Sequence, residues 1–465
     1  MIRKWGEFGA LLVLFGGLLA AKFPYLIMQP RLHAEEGLFF LQNAVLDAAP
    51  SALFVHLQGY LNVLNGALAL AVSAWVQPEY WAYAHQIAAF LVQVLAIGYI
   101  AFARLSFLPT MVHRGLFVAA LALIPPSAET ILTSTNMHFW AVVPTVCMLF
   151  DDATMHRTAR RWGDAAAIGL AGLIGPPVAV FLPAMLLKAL FTRTPGDRTR
   201  TVALLLVLIV HLASMAVFRA HWGDGPDRAI IDAAAKTLLI LPWELIVGSV
   251  VLFSAGFSAA ESVARAVSAL PFAWIVAGTG VAYAAMAAAL FAARRSCFLG
   301  PVSVSFVAIG GVIAGSLFSY PYDPIGSLSV TVGGRYTLLV SFVLLGLAAF
   351  VFQRMSRPRW KLMGPLVLLG LFATHAWDDR VGTPGPDWRD EVAAWRAGER
   401  SCGLRIEPEG WRIGIGEEFR ARLENLVGAG KTPILERVAD WRAENGMLHR
   451  PALGVRIFER LCREG

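Results

Sequence analysis

The sequence predicts an all-α integral membrane protein with about 11–13 transmembrane or re-entrant helices and a small C-terminal α/β appendage. Three observations predict this class. Hydrophobic residues make up 57% of the 465-residue chain and charged residues only 15%; the mean hydropathy is +0.61; and apolar stretches of roughly 20 residues, the length that crosses a bilayer as a helix, recur from Val13 to Trp377. One soluble core could not bury this much apolar surface. We therefore expect a polytopic transmembrane domain at 1–377, surrounded by membrane lipids, and a small soluble region at 378–465.

The first predicted span runs from about Phe8 to Met28 and follows the basic residues Arg3 and Lys4. This order of charge and apolar run is also that of a signal peptide. The run is too long for one, however, and lacks a small-residue cleavage site. Because basic residues mark the cytoplasmic side of a span, we expect the N-terminus in the cytoplasm.

Short basic clusters between the apolar segments predict which ends of the later spans face the cytoplasm. They comprise Arg104, Arg114, Arg157, Arg160, Arg161, Arg193, Arg198, Arg200, Arg294, Arg295, Arg354, Arg357, Arg359 and Lys361. Assigning all of them to the cytoplasm leaves outside the segments 29–60, 127–138, 220–236 and 319–335 and everything after 377. Since the basic residues follow no single stripe or helix face, the net charge of +7 does not predict a nucleic-acid partner.

Two apolar segments break this alternation of sides and are expected to be re-entrant or juxtamembrane. Residues 61–76 are apolar enough to span, yet counting them as a span would place Arg104 outside. Residues 237–268 are interrupted by Pro, Trp and Glu at 242–244. Irregular backbone at membrane depth is tolerated only against protein or a wet cavity, so such breaks tend to line sites.

After the last predicted span the composition changes to charged residues, Trp and Gly. A helical stretch led by Asp387 and a strand-like segment at 404–406 predict a small folded unit. One further crossing after the last basic cluster places this unit in the periplasm, where Cys402 and Cys462 could form a disulfide. The four cysteines of the chain have no metal-binding spacing.

The densest acidic feature on the predicted outer side is His33-Ala34-Glu35-Glu36, directly after the first span. A carboxylate that is partly buried at a membrane surface readily has a raised pKa, which suits a general base that acts on a hydroxyl. Glu35 is the first candidate for this catalytic role and Glu36 the second, with His33 as a substrate-binding candidate beside them. The alternative is that both carboxylates are solvated charges at a helix start, where the helix dipole favours them.

A second polar group lies in a loop between two short apolar helices. Its members are Glu129, Thr133, Thr135, Asn136 and His138. Such a density of polar side chains can bind a sugar or a phosphate through hydrogen bonds. Simple capping of the loop is the alternative interpretation.

A third polar group lies at the mouth of a late span and contains Tyr320, Asp323, Arg335 and Tyr336. The planar guanidinium of Arg335 could bind a phosphate or diphosphate, and the glycines before it would let the backbone approach a ligand. An arginine beside a span is otherwise an interfacial anchor.

Taken in this order, the three groups resemble the glycosyltransferase-C superfamily. The loop Glu35-Glu36-Gly37, with Phe39 and Phe40, is similar to the first outer-loop acidic motif of that superfamily, often written DE-x-x-Y. The segment 59–61 (GYL), the loop with Glu129 and the late motif 334–336 (GRY) follow the same layout, which covers about residues 1–350. More particularly, the segments 34–37 (AEEG), 136–140 (NMHFW) and 410–411 (GW) resemble a set of bacterial membrane proteins of this superfamily.

This resemblance implies a fold of glycosyltransferase-C type in the bacterial inner membrane. It also implies transfer of a sugar from a polyprenyl-phosphate donor to a glycan, lipid or protein acceptor at the periplasmic face, usually with inversion. Glu35 matches the catalytic acidic position, usually Asp, and would deprotonate or orient the acceptor; the extra methylene keeps Glu36 as a candidate. Glu129 matches a second acidic position that in some members holds a metal or the acceptor, so a divalent metal at Glu35 and Glu129 remains an option. Arg335 matches the cation that binds the donor phosphate.

Other classes of membrane protein have as many spans. A transporter or flippase of lipid-linked saccharides would place its ionisable groups near the bilayer midplane, whereas Glu35, Glu129 and Arg335 fall at predicted span ends. A polysaccharide polymerase or ligase usually relies on a large, late outer loop rich in Arg and His, and a non-catalytic assembly protein is a further alternative. The chain has no GxGxxG or GKS motif for a nucleotide. A transferase is therefore the favoured prediction.

Overall fold

The computed structural model describes residues 2–33, 36–41, 44–45, 53, 56–57, 60–124, 130–151, 158–222, 230–245, 251, 255–293, 299–319, 330–355, 365–366, 370, 387–397, 404–406 and 411–413. In parts of these ranges the backbone alone is described. Most of the described chain is helical.

The first part of the chain forms helices joined by short turns and one small hairpin. In order these are α1 (Ile2–Lys22), α2 (Pro24–Met28), a π-helical turn (Glu36–Leu41), β1 (His56–Leu57), β2 (Tyr60–Leu61), α3 (Val63–Trp75), a 3-10 turn (Pro78–Tyr80), α4 (Trp81–Phe102), α5 (Met111–Leu123), α6 (Met137–Ala141), α7 (Val143–Phe150) and α8 (Thr158–Ile174). Strands β1 and β2 pair in antiparallel fashion, with Leu57 opposite Tyr60.

The remaining elements are a second 3-10 turn (Pro176–Phe181), α9 (Leu182–Thr192), α10 (Pro195–Trp222), α11 (Ile230–Leu245), α12 (Phe257–Ser268), α13 (Phe272–Ala293), α14 (Leu299–Ser319), α15 (Val330–Arg354), α16 (Trp388–Arg396), β3 (Leu404–Ile406) and β4 (Trp411–Ile413). Strands β3 and β4 form a second antiparallel pair, in which Leu404 lies opposite Ile413.

The described helices are those of a multi-pass membrane protein. Four are long and apolar enough to cross a bilayer, namely Ile2–Lys22, Pro78–Phe102, Pro195–Val217 and Thr337–Arg354, and a fifth span results if Ser258–Ser268 and Phe272–Ala285, which meet at 118°, form one broken span. Five further apolar helices have only 10–17 residues. Among the described residues, four or five helices are therefore long enough to cross fully; the predicted total of 11–13 also counts re-entrant helices and stays a prediction for the whole chain.

The burial pattern of α1 shows how these helices meet lipid on one side and protein on the other. Leu11, Phe15 and Leu19 recur every four residues and are buried. On the opposite face Val13 is 77% exposed. Because residues four apart lie on the same helix face, α1 packs one stripe into the bundle and leaves an apolar surface that suits lipid.

Contacts around the end of α4 identify one end of the bundle. The Nζ of Lys4 lies 3.1 Å from the carbonyl oxygen of Ala101, and Arg114 donates to the same oxygen at 2.6 Å. Arg160 donates to the Tyr99 hydroxyl at 3.0 Å. Three residues predicted to mark the cytoplasmic side therefore share one end of the bundle, which we call the Lys4 end.

The opposite end, here called the Lys22 end, is where α1 and α5 finish and α4 begins. The Nζ of Lys22 donates to the carbonyl oxygen of Ile124 at 3.2 Å. Gln86, in the second turn of α4, donates to the carbonyl oxygen of Leu26. The loops that follow α1 and α5 consequently meet at the Lys22 end.

The two segments expected to be re-entrant form short or bent helices. Helix α3 has 13 residues, about 20 Å of helix, which is too short for a hydrocarbon core of about 30 Å. The Trp81 Nε1 donates to the carbonyl oxygen of Val76 at 2.9 Å, so α3 ends beside the start of α4. In the second segment, α11 includes Pro242 and ends at Leu245, and the 118° bend follows α12.

The described part of the C-terminal region packs on the Lys22 end. Asp387 caps α16 by accepting the N–H of Arg389 at 2.8 Å. Trp388 is buried among Leu32, Val72 and Trp81, and its Nε1 donates to the carbonyl oxygen of Pro78 at 2.8 Å. Cys402 and Cys462 lie outside the described residues, so the predicted disulfide stays a prediction.

Candidate functional site

The loop after α1 carries a buried carboxylate at the Lys22 end. Glu36 begins the π-helical turn and is 1% exposed. Its Oε2 accepts the backbone N–H of His33 at 2.7 Å, and its Oε1 accepts the backbone N–H of Thr135 at 3.1 Å and that of Ser134. One carboxylate therefore joins two of the polar groups found in the sequence, the loop after α1 and the loop before α6. We call this arrangement the Glu36 clasp.

The clasp limits what Glu36 can do chemically. Burial raises the pKa of Glu36, against the opposing effects of nearby His33 and of the hydrogen bonds from His33, Thr135 and Ser134. Both carboxylate oxygens accept backbone N–H groups, so an incoming hydroxyl would have to displace them. Glu36 is therefore better suited to holding the two loops than to accepting a proton. The other candidate base, Glu35, lies outside the described residues.

Ser134 extends the clasp to α4. Its Oγ lies 2.8 Å from the Nδ1 of His85, a side chain that is 1% exposed. Within the described residues, the Nε2 of His85 has no hydrogen-bond partner. His85 was not among the predicted site residues, although a histidine inside an apolar span is itself a signal, because ionisable residues in membrane helices are uncommon and tend to be functional.

Asn136 and His138 lie next to the clasp. Both are buried, and Asn136 begins α6, where its carbonyl oxygen accepts the N–H of Phe139 at 3.0 Å. His138 packs against the turn after α8: a Cβ added to Gly175 would lie 3.1 Å from the Cβ of His138. These two predicted residues are thus brought to the same end as Glu36, where they also pack the loop against α8.

The register of α15 brings the backbone of Arg335 to this end as well. The ring of Phe342 lies 5.5 Å from that of Trp140 in α6, and Phe350 lies 6.5 Å from Phe150 at the end of α7. Helix α15 therefore runs from the Lys22 end towards the Lys4 end. Arg335 precedes Phe342 by seven residues, about 10 Å of helix in the direction of the Lys22 end.

The other predicted site residues fall where the structure makes no statement. Glu129, Tyr320 and Asp323 lie outside the described residues, as does Glu35. For Arg335 and Tyr336 only the helical backbone is described. The possible metal ligands Glu35 and Glu129 are consequently a prediction still.

A second polar centre, absent from the sequence predictions, lies at the Lys4 end. Arg200 of α10 is wholly buried. Its Nε donates to Asp164 at 2.9 Å, one terminal nitrogen donates to Asp197 at 2.9 Å, and the other lies 3.6 Å from Asp151. Arg200 was predicted as a marker of the cytoplasmic side; the structure shows in addition that its guanidinium is enclosed by carboxylates.

Two further cations complete this ionic network. Arg160 donates to Asp164 at 2.7 Å. The Nζ of Lys188 lies 2.5 Å from the carbonyl oxygens of Met148 and Asp151 and 3.4 Å from the carboxylate of Asp197. Asp151, Asp164 and Asp197 are thus balanced by Arg160, Lys188 and Arg200. Since its charges are paired and it joins α7, α8, α9 and α10, we interpret the ionic network as a structural tie.

The two polar centres differ in what they offer a ligand. Counted over the described residues, the ionic network holds three carboxylates and three cations, and these groups are paired. The Lys22 end combines the Glu36 clasp, the unpaired Nε2 of His85 and the backbone position of Arg335. The candidate functional site is therefore at the Lys22 end.

Comparison of the chain with protein-family models, with curated proteins and with solved structures finds no match.

Proposed function

We propose that this protein is a membrane glycosyltransferase that moves a sugar from a polyprenyl-phosphate donor to an acceptor at its Lys22 end, which would face the periplasm from the bacterial inner membrane. The observation that carries the proposal is the Glu36 clasp. It fixes the loop after α1, in which Glu35 directly precedes Glu36, against the loop before α6 at the Lys22 end of the helical bundle. The backbone of Arg335 lies towards the same end.

In the proposed reaction the donor's prenyl chain lies against the apolar helices and its phosphate approaches Arg335. Glu35 accepts the proton of an acceptor hydroxyl as the oxygen attacks the anomeric carbon. The bond between that carbon and the phosphate oxygen breaks, and polyprenyl phosphate leaves with the electron pair. Arg335 would stabilise the leaving phosphate through its planar guanidinium.

The other predicted residues have binding roles in this proposal. Glu36 holds the loop that positions Glu35. His33, Asn136 and His138 line or support the site beside it, and Glu129, Tyr320, Asp323 and Tyr336 would contact the acceptor or the donor sugar.

The placement of buried charge supports a transferase over a transporter. A transporter of charged lipid-linked saccharides would be expected to carry ionisable groups at the centre of its helices. The main buried charges of the described residues belong to the ionic network, which closes the Lys4 end through the last turn of α4 and the first turns of α10. They pair with one another rather than line a path.

The proposal is tested by sugar transfer with the purified full-length protein in lipid nanodiscs. A panel of polyprenyl-phosphate sugars serves as donors, and release of polyprenyl phosphate is measured. We expect Glu35→Gln to lower the rate by at least about 100-fold, the usual size of a lost general base. Glu79→Gln is the matched control, since Glu79 lies near the same end but pairs with Arg396. The proposal is overturned if the native protein binds the donors but cleaves none of them.

A further inference from the structure

In the part of the chain that the structure describes, one buried side chain on α3 and one on α4 have polar atoms without partners. These atoms are the Nε2 of His85 and both amide atoms, Nδ2 and Oδ1, of Asn65. Each side chain belongs to a residue that is 1% exposed. Buried polar groups in folded proteins are nearly always hydrogen-bonded, because an unpaired one forfeits its hydration without replacement. Two such residues on consecutive helices therefore call for an explanation.

These residues lie on two helices that pack against each other, and α3 also packs along the π-helical turn that Glu36 begins. Val72 of α3 and Trp81 of α4 pack in one apolar cluster with Leu41, the last residue of the π-helical turn that Glu36 begins. His85 follows Trp81 by one helical turn, and Asn65 precedes Val72 by two turns on the buried face of α3. Helix α3 packs along both the π-helical turn and α4.

The clasp also fixes the imidazole of His85. Glu36 holds the backbone of Ser134, and the Ser134 hydroxyl bonds the Nδ1 of His85 at 2.8 Å. One ring nitrogen is thereby committed and the other is left open in a fixed direction. A side chain held in this way loses little freedom when a ligand binds, which favours affinity.

We propose that His85 and Asn65 form a buried subsite for ligand hydroxyl groups, and that it takes the sugar of the polyprenyl-phosphate donor. This inference rests on the proposed function and deepens it by naming the residues that recognise the sugar. A hydroxyl both donates and accepts hydrogen bonds. It can therefore satisfy the amide group of Asn65, which supplies donors and an acceptor, and the open ring nitrogen of His85.

The chemistry of the subsite favours a neutral hydroxyl over a phosphate. The open Oδ1 of Asn65 is an acceptor and would face phosphate oxygens unfavourably. The Glu36 carboxylate, linked to His85 through Ser134, would add repulsion when ionised. The donor phosphate is better accommodated near Arg335, so sugar and phosphate would occupy different parts of the site.

Gln93 supplies a matched control. It lies on α4, eight residues after His85 and about 12 Å deeper along the helix. It is fully buried, and among the described residues both of its amide atoms lack partners. Gln93 therefore carries a buried, unpaired amide as Asn65 does, but it lies two turns beyond the bond between His85 and Ser134.

The test is equilibrium binding to the full-length protein in nanodiscs. The probes are undecaprenyl phosphate and a panel of its single-sugar derivatives. We expect the native protein to bind at least one sugar derivative about tenfold or more tightly than the bare lipid phosphate, the effect of one or two good hydrogen bonds. His85→Leu and Asn65→Leu should each remove most of this preference while binding of bare lipid phosphate stays within about twofold. Gln93→Leu should keep the preference.

The outcomes separate this inference from the proposed function. If the native protein prefers a sugar derivative and both His85→Leu and Asn65→Leu keep that preference, the subsite is refuted and the proposed function stands. If the native protein prefers no sugar derivative and releases no polyprenyl phosphate from any, the proposed function fails and the subsite fails with it. If His85→Leu also loses binding of the bare lipid phosphate, the variant has lost its fold. The result for Asn65→Leu then tests the subsite, because this variant keeps the bond between His85 and Ser134.

Discussion

Replacing Arg200 by methionine tests whether the ionic network ties the Lys4 end together. The guanidinium is fully buried and donates to Asp164 and Asp197 at 2.9 Å each. Methionine fills a similar volume but, among the described charges of the network, leaves three carboxylates against two cations, Arg160 and Lys188, which is one uncompensated buried charge. Removing one partner of a buried ion pair typically costs about 3–5 kcal/mol. We expect Arg200→Met to lower the free energy of unfolding by this amount.

The measurement is unfolding by SDS from mixed micelles, followed by circular dichroism. The matched control is Arg198→Met, because Arg198 lies on the same helix but is exposed, and this change should stay within about 0.5 kcal/mol. Adding Asp164→Asn to Arg200→Met removes one carboxylate as well as one cation. The free energy of unfolding of the double variant should therefore fall by about 1 kcal/mol or more less than the sum of the falls in the two single variants. A loss below about 1 kcal/mol for Arg200→Met would refute the structural role of the network.

Three further predictions follow from other parts of the fold. Gly311→Ala should destabilise the protein by about 1–3 kcal/mol in the same SDS titration, because its Cβ would overlap a backbone carbonyl oxygen of the second 3-10 turn; Gly310→Ala, with open space around it, should not. Burial raises the pKa of Glu36 above 4.5, so its contribution to stability is present below about pH 4.5 and is lost as the pH rises through the raised pKa. The free energy of unfolding of the native protein, relative to that of Glu36→Gln, should therefore fall as the pH rises. A difference that does not change with pH would contradict the burial of this carboxyl group. Trp388→Ala should release α16 and speed protease cleavage near 378–387 at least about tenfold, whereas Asp390→Ala, at an exposed position, should not.

Membrane class could be predicted from sequence because it depends on composition, whereas the side of the membrane that each end faces stays a prediction from charge near span ends. The joint placement of Lys4, Arg114 and Arg160 at one end of the bundle agrees with that reasoning. The number of complete crossings could not be obtained in the same way, because composition alone does not fix whether an apolar segment folds as one long helix or as a shorter one of 10–17 residues.

The proximity of the first two polar groups at the candidate site was implied by the assignment of their loops to one side. The role of Glu36 in joining the two loops was not predicted. Its carboxylate accepts backbone N–H groups of residues about 100 positions away, and no pattern of side chains in the sequence reveals such bonds. The ionic network escaped prediction for a similar reason. In the sequence, Arg200 has the pattern of an interfacial marker, because its contact with Asp164 on another helix is formed only in the folded chain.

The most direct test of the central claim is to follow one polyprenyl-phosphate sugar in proteoliposomes that contain the native protein. Bond cleavage is read as release of polyprenyl phosphate, and transport as movement of the intact lipid between leaflets. A glycosyltransferase releases polyprenyl phosphate and transfers the sugar to the acceptor, or to water, which gives the free sugar. Movement of intact donor between leaflets, without any cleavage across the whole panel of sugars, would contradict the account and identify a transporter instead.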